Sequence, residues 1–220
     1  MNYKHQWLTG ETFLHPLGKI VCVGRNYAEH AKELNNPIPK SPVLFIKPST
    51  AAVAMEQPFA IPTDQGVCHH ELEMTVLINQ PLTRATKEQA KSAIAGLGLG
   101  LDLTLREVQE GLKQKSHPWE RSKAFDGSCP LSQFSIYDGR DLQNIELTLI
   151  RNGEVQQQGN SCDMLFPVID LLVEISHSFT LLPGDVVLTG TPAGVGPLYE
   201  GDSLSAKLGD LVVVETGVKG

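Results

Sequence analysis

Short apolar runs bounded by Gly, Pro, Asn and Asp recur along the chain and predict a mainly β protein. Two segments predict hairpins, because residues 145–159 carry Asn152-Gly153 between alternating stretches and residues 203–218 carry a Gly-Asp turn. Strand-rich stretches with isolated helices favour one mixed, mainly β domain over regular strand–helix alternation. Further strands are predicted over residues 19–24, 43–48, 70–78, 96–104 and 186–190.

Two capping boxes predict where helices begin. Thr86 and Gln89 have the spacing of an N-cap residue and its partner, which predicts a helix running to about residue 95. Thr104 and Glu107 have a similar spacing, which predicts a second helix opening at Leu105.

Three other segments complete the predicted elements. Residues 26–36 predict a short helix that ends at Asn36-Pro37. Residues 107–135 contain several glycines and prolines and predict a long functional loop or lid. Residues 164–179 predict a helix whose apolar face carries Val168, Leu171, Leu172 and Ile175.

Composition places the chain among ordinary globular proteins. It has 220 residues, 41% of them apolar and 20% charged, which is enough for one domain with a sizeable core. The net charge of −7 argues against nucleic acid or an anionic membrane as the main partner. No apolar run approaches the roughly 20 residues that span a bilayer, and the start lacks a signal-peptide pattern. Widely spaced Cys22, Cys68, Cys129 and Cys162 indicate reduced thiols, so we expect a cytoplasmic protein.

The stretch CHHELEMTV, residues 68–76, is rich in residues that bind metals or move protons. Side chains two apart share one face of a strand, so Glu71 and Glu73 are predicted to project together, as half of a Mg²⁺ or Mn²⁺ site. A solvent-facing pair is the alternative. Asp102 ends an apolar strand and is either a third carboxylate or a residue near a helix cap. A zinc site that recruits His69 or His70, with or without Cys68, is the alternative hypothesis, and it is opposed by the geometry of a strand, on which adjacent histidines point to opposite faces.

Seven segments of the chain form a recognisable series, namely GRNYAEHAKE (24–33), FIKP (45–48), HHELEMTVLI (69–78), DLTLREVQ (102–109), KAFDGSCPLSQ (123–133), DMLF (163–166) and LLPGDVVLTGTPAGVGP (181–197). Together, and in this order, they closely resemble the fumarylacetoacetate hydrolase family, in its short, single-domain, acylpyruvase- and oxaloacetate decarboxylase-like branch. The resemblance implies a mainly β (α+β) fold, a mixed-sheet rolled β-sandwich of the fumarylacetoacetate hydrolase C-terminal-domain type with a few short helices. It implies an N-terminal extension over residues 1–17, one catalytic domain over residues 18–220, and a homodimer.

The resemblance also implies catalytic and metal-binding residues. By position, Glu71, Glu73 and Asp102 would hold Mg²⁺ or Mn²⁺. His30 and Glu33 stand at i and i+3 on the first predicted helix and so face the same way. Taken alone they favour a solvated helical face, whereas the resemblance implies a dyad that activates water.

Substrate contacts are implied for a further set of polar residues. Lys123 would stabilise negative charge on a substrate oxygen. Arg106 and Gln109 would point toward the metal and bind the substrate. Arg106 has an alternative as a surface ion pair with Glu110. The segment GTPAGVG lacks a phosphate-loop pattern, so its Thr191 and backbone N–H groups are predicted to meet a carboxylate instead. Arg25 and Lys47 are further candidates that could also pair with structural acids.

These residues predict a Mg²⁺- or Mn²⁺-dependent enzyme that cleaves small β-dicarbonyl 2-oxo acids. The first expectation is hydrolysis of an acylpyruvate to pyruvate and a carboxylic acid, through an enolate that the metal stabilises. The same site would serve an oxaloacetate decarboxylase or an oxaloacetate keto–enol tautomerase. The rival classes are a non-catalytic metal- or ligand-binding protein with this fold and a zinc hydrolase.

Overall fold

A computed structural model describes residues 3–219, and within that range the chain is mostly strand, with five α-helices. The strands form a large curled mixed sheet and two smaller sheets, which confirms the predicted fold class. The strands of the large sheet are β1 (Lys19–Gly24), β2 (Val43–Pro48), β3 (Ala52–Ala54), β5 (Leu72–Ile78), β6 (Ile94–Leu101), β8 (Cys129–Leu131), β9 (Ser135–Ile136) and β12 (Val186–Leu188).

The large sheet runs in the order β2-β1-β12-β5-β6-β8-β3, with β9 paired to β6. Its centre is the antiparallel pair β5–β6, whose register sets Glu73 opposite Gly100 and Leu72 opposite Leu101. All seven residues of β5 and all eight of β6 are buried, because both faces of the sheet are covered. The predicted strand 70–78 is divided at Glu71. The residues before the division form β4 (Cys68–His70), which belongs to a different sheet from β5.

Two smaller sheets complete the sandwich. Besides β4, their strands are β7 (Thr104–Leu105), β10 (Glu146–Arg151), β11 (Glu154–Asn160), β13 (Gly196–Pro197), β14 (Ser203–Leu208) and β15 (Val212–Gly217). The four-stranded sheet has the order β11-β10-β14-β15 and packs against β5 and β6. Its hairpin β10–β11 turns at Asn152 and Gly153, whose φ angles of 53° and 84° are those that an Asn-Gly hairpin turn requires. The three-stranded sheet has the order β13-β4-β7.

The helices are short, and only one of the two predicted capping boxes forms. Thr86 and Gln89 cap their helix reciprocally, as predicted. The box at Thr104 was wrong: Thr104 lies in β7, and its hydroxyl donates to the backbone oxygen of Asp102 at 3.0 Å. The helices are α1 (Ala28–Glu33), α2 (Lys87–Ser92), α3 (Arg106–Gln114), α4 (Glu120–Lys123) and α5 (Val168–Ser178).

The segment 107–135 is largely structured, so the predicted long loop was wrong. Most of α3, all of α4 and β8 lie within it, and α3 and α4 contact each other. Helix α5 buries Val168, Leu171, Leu172 and Ile175, as its apolar spacing predicts.

Two apolar clusters lie on the two faces of the large sheet. Strand β1 shows the division, because Val21 and Val23 join the main cluster whereas Ile20 and Cys22 join the second. The predicted N-terminal extension, of which residues 3–17 are described, contributes Tyr3, Trp7, Phe13 and Leu17 to the cover of the second cluster. This segment therefore packs onto the sheet.

None of the helices in residues 3–219 is long and apolar enough to cross a membrane. Cys22, Cys68 and Cys129 are buried, Cys162 is exposed, and all four thiols are free.

Candidate metal centre and active site

Three carboxylates converge where the large sheet meets the sheet of β4 and β7. Glu71 lies in the break between β4 and β5, Glu73 lies on β5, and Asp102 follows β6. The backbone N–H of Asp102 donates to the backbone oxygen of Glu71 at 2.8 Å, which fixes the two segments side by side. One oxygen from each carboxylate lies within 4.8 Å of the others, and all three residues are at most 5% exposed. The alternative of a solvent-facing Glu pair was therefore wrong.

Three cations surround these carboxylates. Lys123 Nζ donates to Glu71 Oε2 at 2.8 Å and to Asp102 Oδ2 at 2.6 Å. Arg106 pairs with Glu71 Oε1 and donates to Gln109 Oε1 at 2.8 Å, instead of pairing with Glu110. Lys47 is fully buried, with its Nζ 2.8 Å from Asp102 Oδ1.

The electrostatics of the cluster differ from one carboxylate to the next. Burial, followed by the charges of Asp102 and Glu71, raises the pKa of Glu73 well above its ordinary value. Burial alone would also raise the pKa of Glu71, but Lys123 and Arg106 bring it below the ordinary value. Burial would lower the pKa of Lys123, whereas Asp102 and Glu71 raise it above the ordinary value, so this ammonium stays charged.

This donor set fits a hard divalent cation. The three groups offer oxygen atoms only, as Mg²⁺ and Mn²⁺ prefer. Asp102 is buried and directs Oδ1 toward the ammonium of Lys47 and Oδ2 toward that of Lys123, which keeps this carboxylate charged. Glu73 receives the backbone N–H of Gly190 at 2.6 Å and makes no ion pair in the described part of the chain. Glu73 thus has lone pairs that no ammonium or guanidinium engages, and its pKa is raised, so a cation bound here would stabilise its charged form.

A zinc site at Cys68 fits the geometry poorly. Burial raises the pKa of Cys68 to about 12, so its thiol is a protonated and weak ligand. Burial, then Arg106, lowers the pKa of His69 to about 4, which leaves a neutral imidazole that can bind a metal, so what a zinc site lacks among the described residues is further ligands. Within residues 3–219, the one cluster of three potential metal ligands is that of Glu71, Glu73 and Asp102.

Helix α1 brings the predicted dyad together. His30 Nδ1 lies 3.2 Å from Glu33 Oε2, and the imidazole is only 4% exposed. Glu33 Oε1 also accepts the backbone N–H of Gly194 at 3.0 Å, which holds this carboxylate between the helix and the turn after β12. The His30 side chain is therefore buried, whereas Glu33 is exposed and is held in place by its two hydrogen-bond partners.

A small cavity of about 90 Å³ lies above the carboxylates. Trp119, Phe45, Asn36 and Lys113 also line it, although nothing in the sequence pattern pointed to them. The predicted site residues that line it are Arg25, His30, Glu71, Glu73, Arg106, Gln109, Lys123 and Thr191.

Two predicted substrate contacts have other partners in the structure. Lys47 does not line the cavity, because its ammonium is enclosed by Asp102 and by Ser128, whose backbone oxygen lies at 3.1 Å. Lys47 therefore forms a buried ion pair with Asp102 and is not placed to contact a substrate. Thr191 lines the cavity, but its hydroxyl donates to the backbone oxygen of Leu72 at 2.8 Å. The turn that carries Thr191 does meet carboxylates, namely those of Glu73 and Glu33 in this same chain.

The fold and the buried acidic site define a member of the fumarylacetoacetate hydrolase family. Residues 19–220 match the family described as "Fumarylacetoacetate (FAA) hydrolase C-terminal", and the chain belongs to this family.

Its similarity to particular proteins spans nearly the whole chain. It is 52% identical over 206 residues to the oxaloacetate tautomerase YcgM of Escherichia coli (strain K12), covering 92% of this chain and 94% of that protein. It is 42% identical over 197 residues to the mitochondrial oxaloacetate decarboxylase of Dictyostelium discoideum, covering 89% and 87%. Among solved structures, fumarylpyruvate hydrolase from Pseudomonas aeruginosa in complex with Mn²⁺ and pyruvate superposes with a TM-score of 0.92 at 30% identity, covering 99% of this chain and 96% of that one.

Proposed function

We propose that this protein is a Mg²⁺- or Mn²⁺-dependent oxaloacetate tautomerase, which interconverts the enol and keto forms of oxaloacetate, with decarboxylation as a related activity of the same site. The observation that carries the proposal is the buried cluster of Glu71, Glu73 and Asp102, with the charged Lys123 beside it and His30 on the same cavity. The relatives named for oxaloacetate favour this reaction over acylpyruvate hydrolysis, which is the first expectation from the sequence.

Glu71, Glu73 and Asp102 would hold the divalent ion. When bound, such an ion supplies Lewis-acid polarisation of the 2-oxo group and helps to orient the substrate.

The cationic side chains that line the cavity complement the negative charge of the substrate. Lys123 is buried and charged, so it stabilises negative charge that develops on a substrate oxygen in a site of low dielectric constant. Arg106 and Gln109 line the same cavity and offer N–H donors to a substrate carboxylate. Arg25 also lines the cavity, with its backbone at φ 58°, a conformation uncommon for residues other than glycine.

Tautomerisation requires only that protons move. The enol O–H loses one proton and C3 gains one, and no bond between heavy atoms is broken. Nδ1 of His30 is engaged by Glu33, so Nε2 is the nitrogen that exchanges the proton. Loss of CO₂ from oxaloacetate produces an enolate with charge on the same oxygen, and it uses the same Lys123 without needing water.

Acylpyruvate hydrolysis is the second candidate, and the dyad geometry favours it. With Nδ1 oriented by Glu33, His30 is arranged to take a proton from water. The hydroxide adds to the distal carbonyl carbon, the C–C bond then breaks, and the pyruvate carbon takes up the proton. The Pseudomonas aeruginosa neighbour is named as a fumarylpyruvate hydrolase, which supports this reading.

The proposal is tested on metal-stripped protein supplied with Mg²⁺, Mn²⁺ or Zn²⁺. Loss of the enol absorbance of oxaloacetate, release of pyruvate from oxaloacetate, and hydrolysis of acetylpyruvate are followed in parallel, against the metal alone. We expect Mg²⁺ and Mn²⁺ to restore tautomerisation. Turnover restored only by Zn²⁺ would favour the zinc hydrolase, and Mn²⁺ binding without any turnover would favour a non-catalytic protein.

His30→Ala separates the activities. We expect hydrolysis of acetylpyruvate to fall on the order of 10²- to 10⁴-fold, as for loss of a general base, whereas decarboxylation falls much less. Glu29→Gln on the exposed side of α1 is the matched control. Wild-type hydrolysis by His30→Ala protein would contradict the dyad.

The homodimer and the cytoplasmic location stay predictions. Light scattering on the purified chain tests the first, with twice the 24.0 kDa chain mass as the expected result.

A further inference from the structure

Gln157 is a buried side chain of β11 that the mechanism above does not use. It is 1% exposed, although its neighbour Gln158 is exposed. Its Oε1 accepts from His70 Nδ1 and from the backbone N–H of Leu72, both at 2.9 Å. Its Nε2 donates to Thr191 Oγ1 at 2.7 Å and to the backbone oxygen of Pro192 at 2.9 Å. The hydrogen-bonding capacity of the amide is thus fully used.

The register of β11 on β10 directs Gln157 inward. Gln157 is opposite Leu149, which is buried, and paired residues lie on the same face of a sheet. The next residue of β10, Ile150, is opposite Val155, so Gln156 is an extra residue in β11 and a β-bulge adjoins Gln157. Bulges of this kind bend a strand and often occur beside active sites.

The four hydrogen bonds of Gln157 join two segments of the candidate site. Leu72 lies between the carboxylates Glu71 and Glu73, and both its backbone groups are occupied: its N–H by Gln157 and its oxygen by Thr191. Thr191 and Pro192 belong to the turn whose N–H groups meet Glu73 and Glu33.

The turn itself lies against β11. Gly194 has φ 95°, and a Cβ added there would overlap the backbone oxygen of Gln156. The bulged strand, the turn and the carboxylate segment therefore form one packed unit with the amide of Gln157 at its centre.

We propose that Gln157 is a positioning residue for the metal centre: it sets the Glu71–Glu73 segment at the correct distance from the turn that orients Glu73 and the Glu33 of the dyad. The inference rests on the proposed function only in so far as these carboxylates hold the metal. Groups behind metal ligands typically change metal affinity or activity by about 10- to 100-fold when they are removed.

Gln157→Met tests this proposal, because Met has a similar length and makes none of the four hydrogen bonds. We expect the Kd for Mn²⁺, measured by calorimetry without substrate, to rise on the order of 10-fold or more. At saturating Mn²⁺, we expect kcat for oxaloacetate to fall while KM changes by less than roughly twofold, the pattern of a misplaced catalytic group. Gln158→Met, the same change at the exposed neighbour, is the matched control and should match the wild type.

A second pair of variants changes Thr191, which lies in the turn. These variants test the role of Gln157 even if Gln157→Met does not fold. Thr191→Val removes the hydroxyl that links Gln157 to Leu72, whereas Thr191→Ser keeps it. We expect Mn²⁺ affinity to fall in Thr191→Val and to be retained in Thr191→Ser. In the double variant with Gln157→Met, the two losses should be less than additive, because both changes break one network.

The outcomes separate the two proposals. A purely structural role predicts a lower Tm with an unchanged Mn²⁺ Kd and an unchanged kcat in the folded protein, and that result would overturn the role of Gln157. Equal Mn²⁺ affinity in Thr191→Val and the wild type would overturn it too. Wild-type protein that binds no Mn²⁺ would overturn the metal centre itself, and with it both proposals.

Discussion

Glu73→Gln is expected to make the metal-free protein more stable and to remove its response to metal. Burial and the neighbouring Asp102 and Glu71 raise the pKa of Glu73, so the native chain binds this proton more tightly than the unfolded chain does. Stability contributed by such a group is lost as pH rises from the ordinary carboxyl pKa toward the raised one. At pH 7.5 without metal, the wild type therefore bears an electrostatic cost that the amide does not.

The size of this cost follows from the geometry. At an effective dielectric constant of about 20, two unit charges 4.8 Å apart repel by roughly 3.5 kcal/mol. Lys47, Lys123 and Arg106 neutralise much of the charge on Asp102 and Glu71, which leaves about 1–2 kcal/mol. The amide oxygen that Glu73→Gln introduces can still accept the N–H of Gly190. For a chain of this size, the gain corresponds to a Tm higher by about 2–8 °C.

Scanning calorimetry in EDTA and in excess Mn²⁺ measures both effects. We expect the wild type to be less stable than Glu73→Gln in EDTA and to gain about 2.7 kcal/mol at a Mn²⁺ concentration of about 100 Kd. The variant should gain little. Glu146→Gln, at an exposed strand position, is the control for the change of Glu to Gln. A variant less stable than the wild type in EDTA, with an undiminished Mn²⁺ shift, would refute the reasoning.

Two further predictions concern buried charged and titratable groups. Lys47→Met should lower the Tm measured by calorimetry by about 10 °C, because breaking a buried ion pair costs about 3–5 kcal/mol. Lys40→Met, at an exposed position, is the control and should leave the Tm unchanged. An unchanged Tm in Lys47→Met would contradict the prediction. Burial lowers the pKa of His5, so the unfolded chain takes up its proton first and stability falls as pH drops below about 6.5. His5→Gln keeps a donor for the oxygen of Gly184 and does not titrate, so it should lose less stability than the wild type between pH 7.5 and pH 5, as measured by urea unfolding. Equal losses would exclude His5 as the cause.

The sequence predicts the strands and the shared direction of Glu71 and Glu73 well, because both depend on local periodicity. Strands β1 and β2 have the predicted bounds, since their apolar runs end at turn residues. Glu71 and Glu73 are two residues apart in extended backbone, so they point the same way even though the strand is divided at Glu71. Asp102 is predicted by the resemblance, and the register of β5 on β6 explains why it arrives beside Glu71.

Contacts that depend on tertiary packing could not be predicted from local patterns. Lys47 sits in an apolar strand, where no local pattern shows that its ammonium meets Asp102 across the core. Three consecutive glutamines look equivalent in the sequence, and it is the pairing of Gln157 with the buried Leu149 that sets this one inward. The false capping box at Thr104 has the correct residue spacing, but Thr104 pairs in β7 with His69, and sheet pairing determines its conformation.

Tautomerisation, decarboxylation and hydrolysis place negative charge on the same enolate oxygen, so the carboxylates and Lys123 cannot by themselves select among them. Only hydrolysis needs an oriented water, and the group suited to that task is His30 with its Glu33. Both residues lie on α1, a helix of six residues, and Glu33 reaches the rest of the site through the N–H of Gly194. We therefore expect α1 and the turn at Gly194 to govern whether the protein can also hydrolyse an acylpyruvate, and the buried carboxylates to govern whether any of the three reactions occurs.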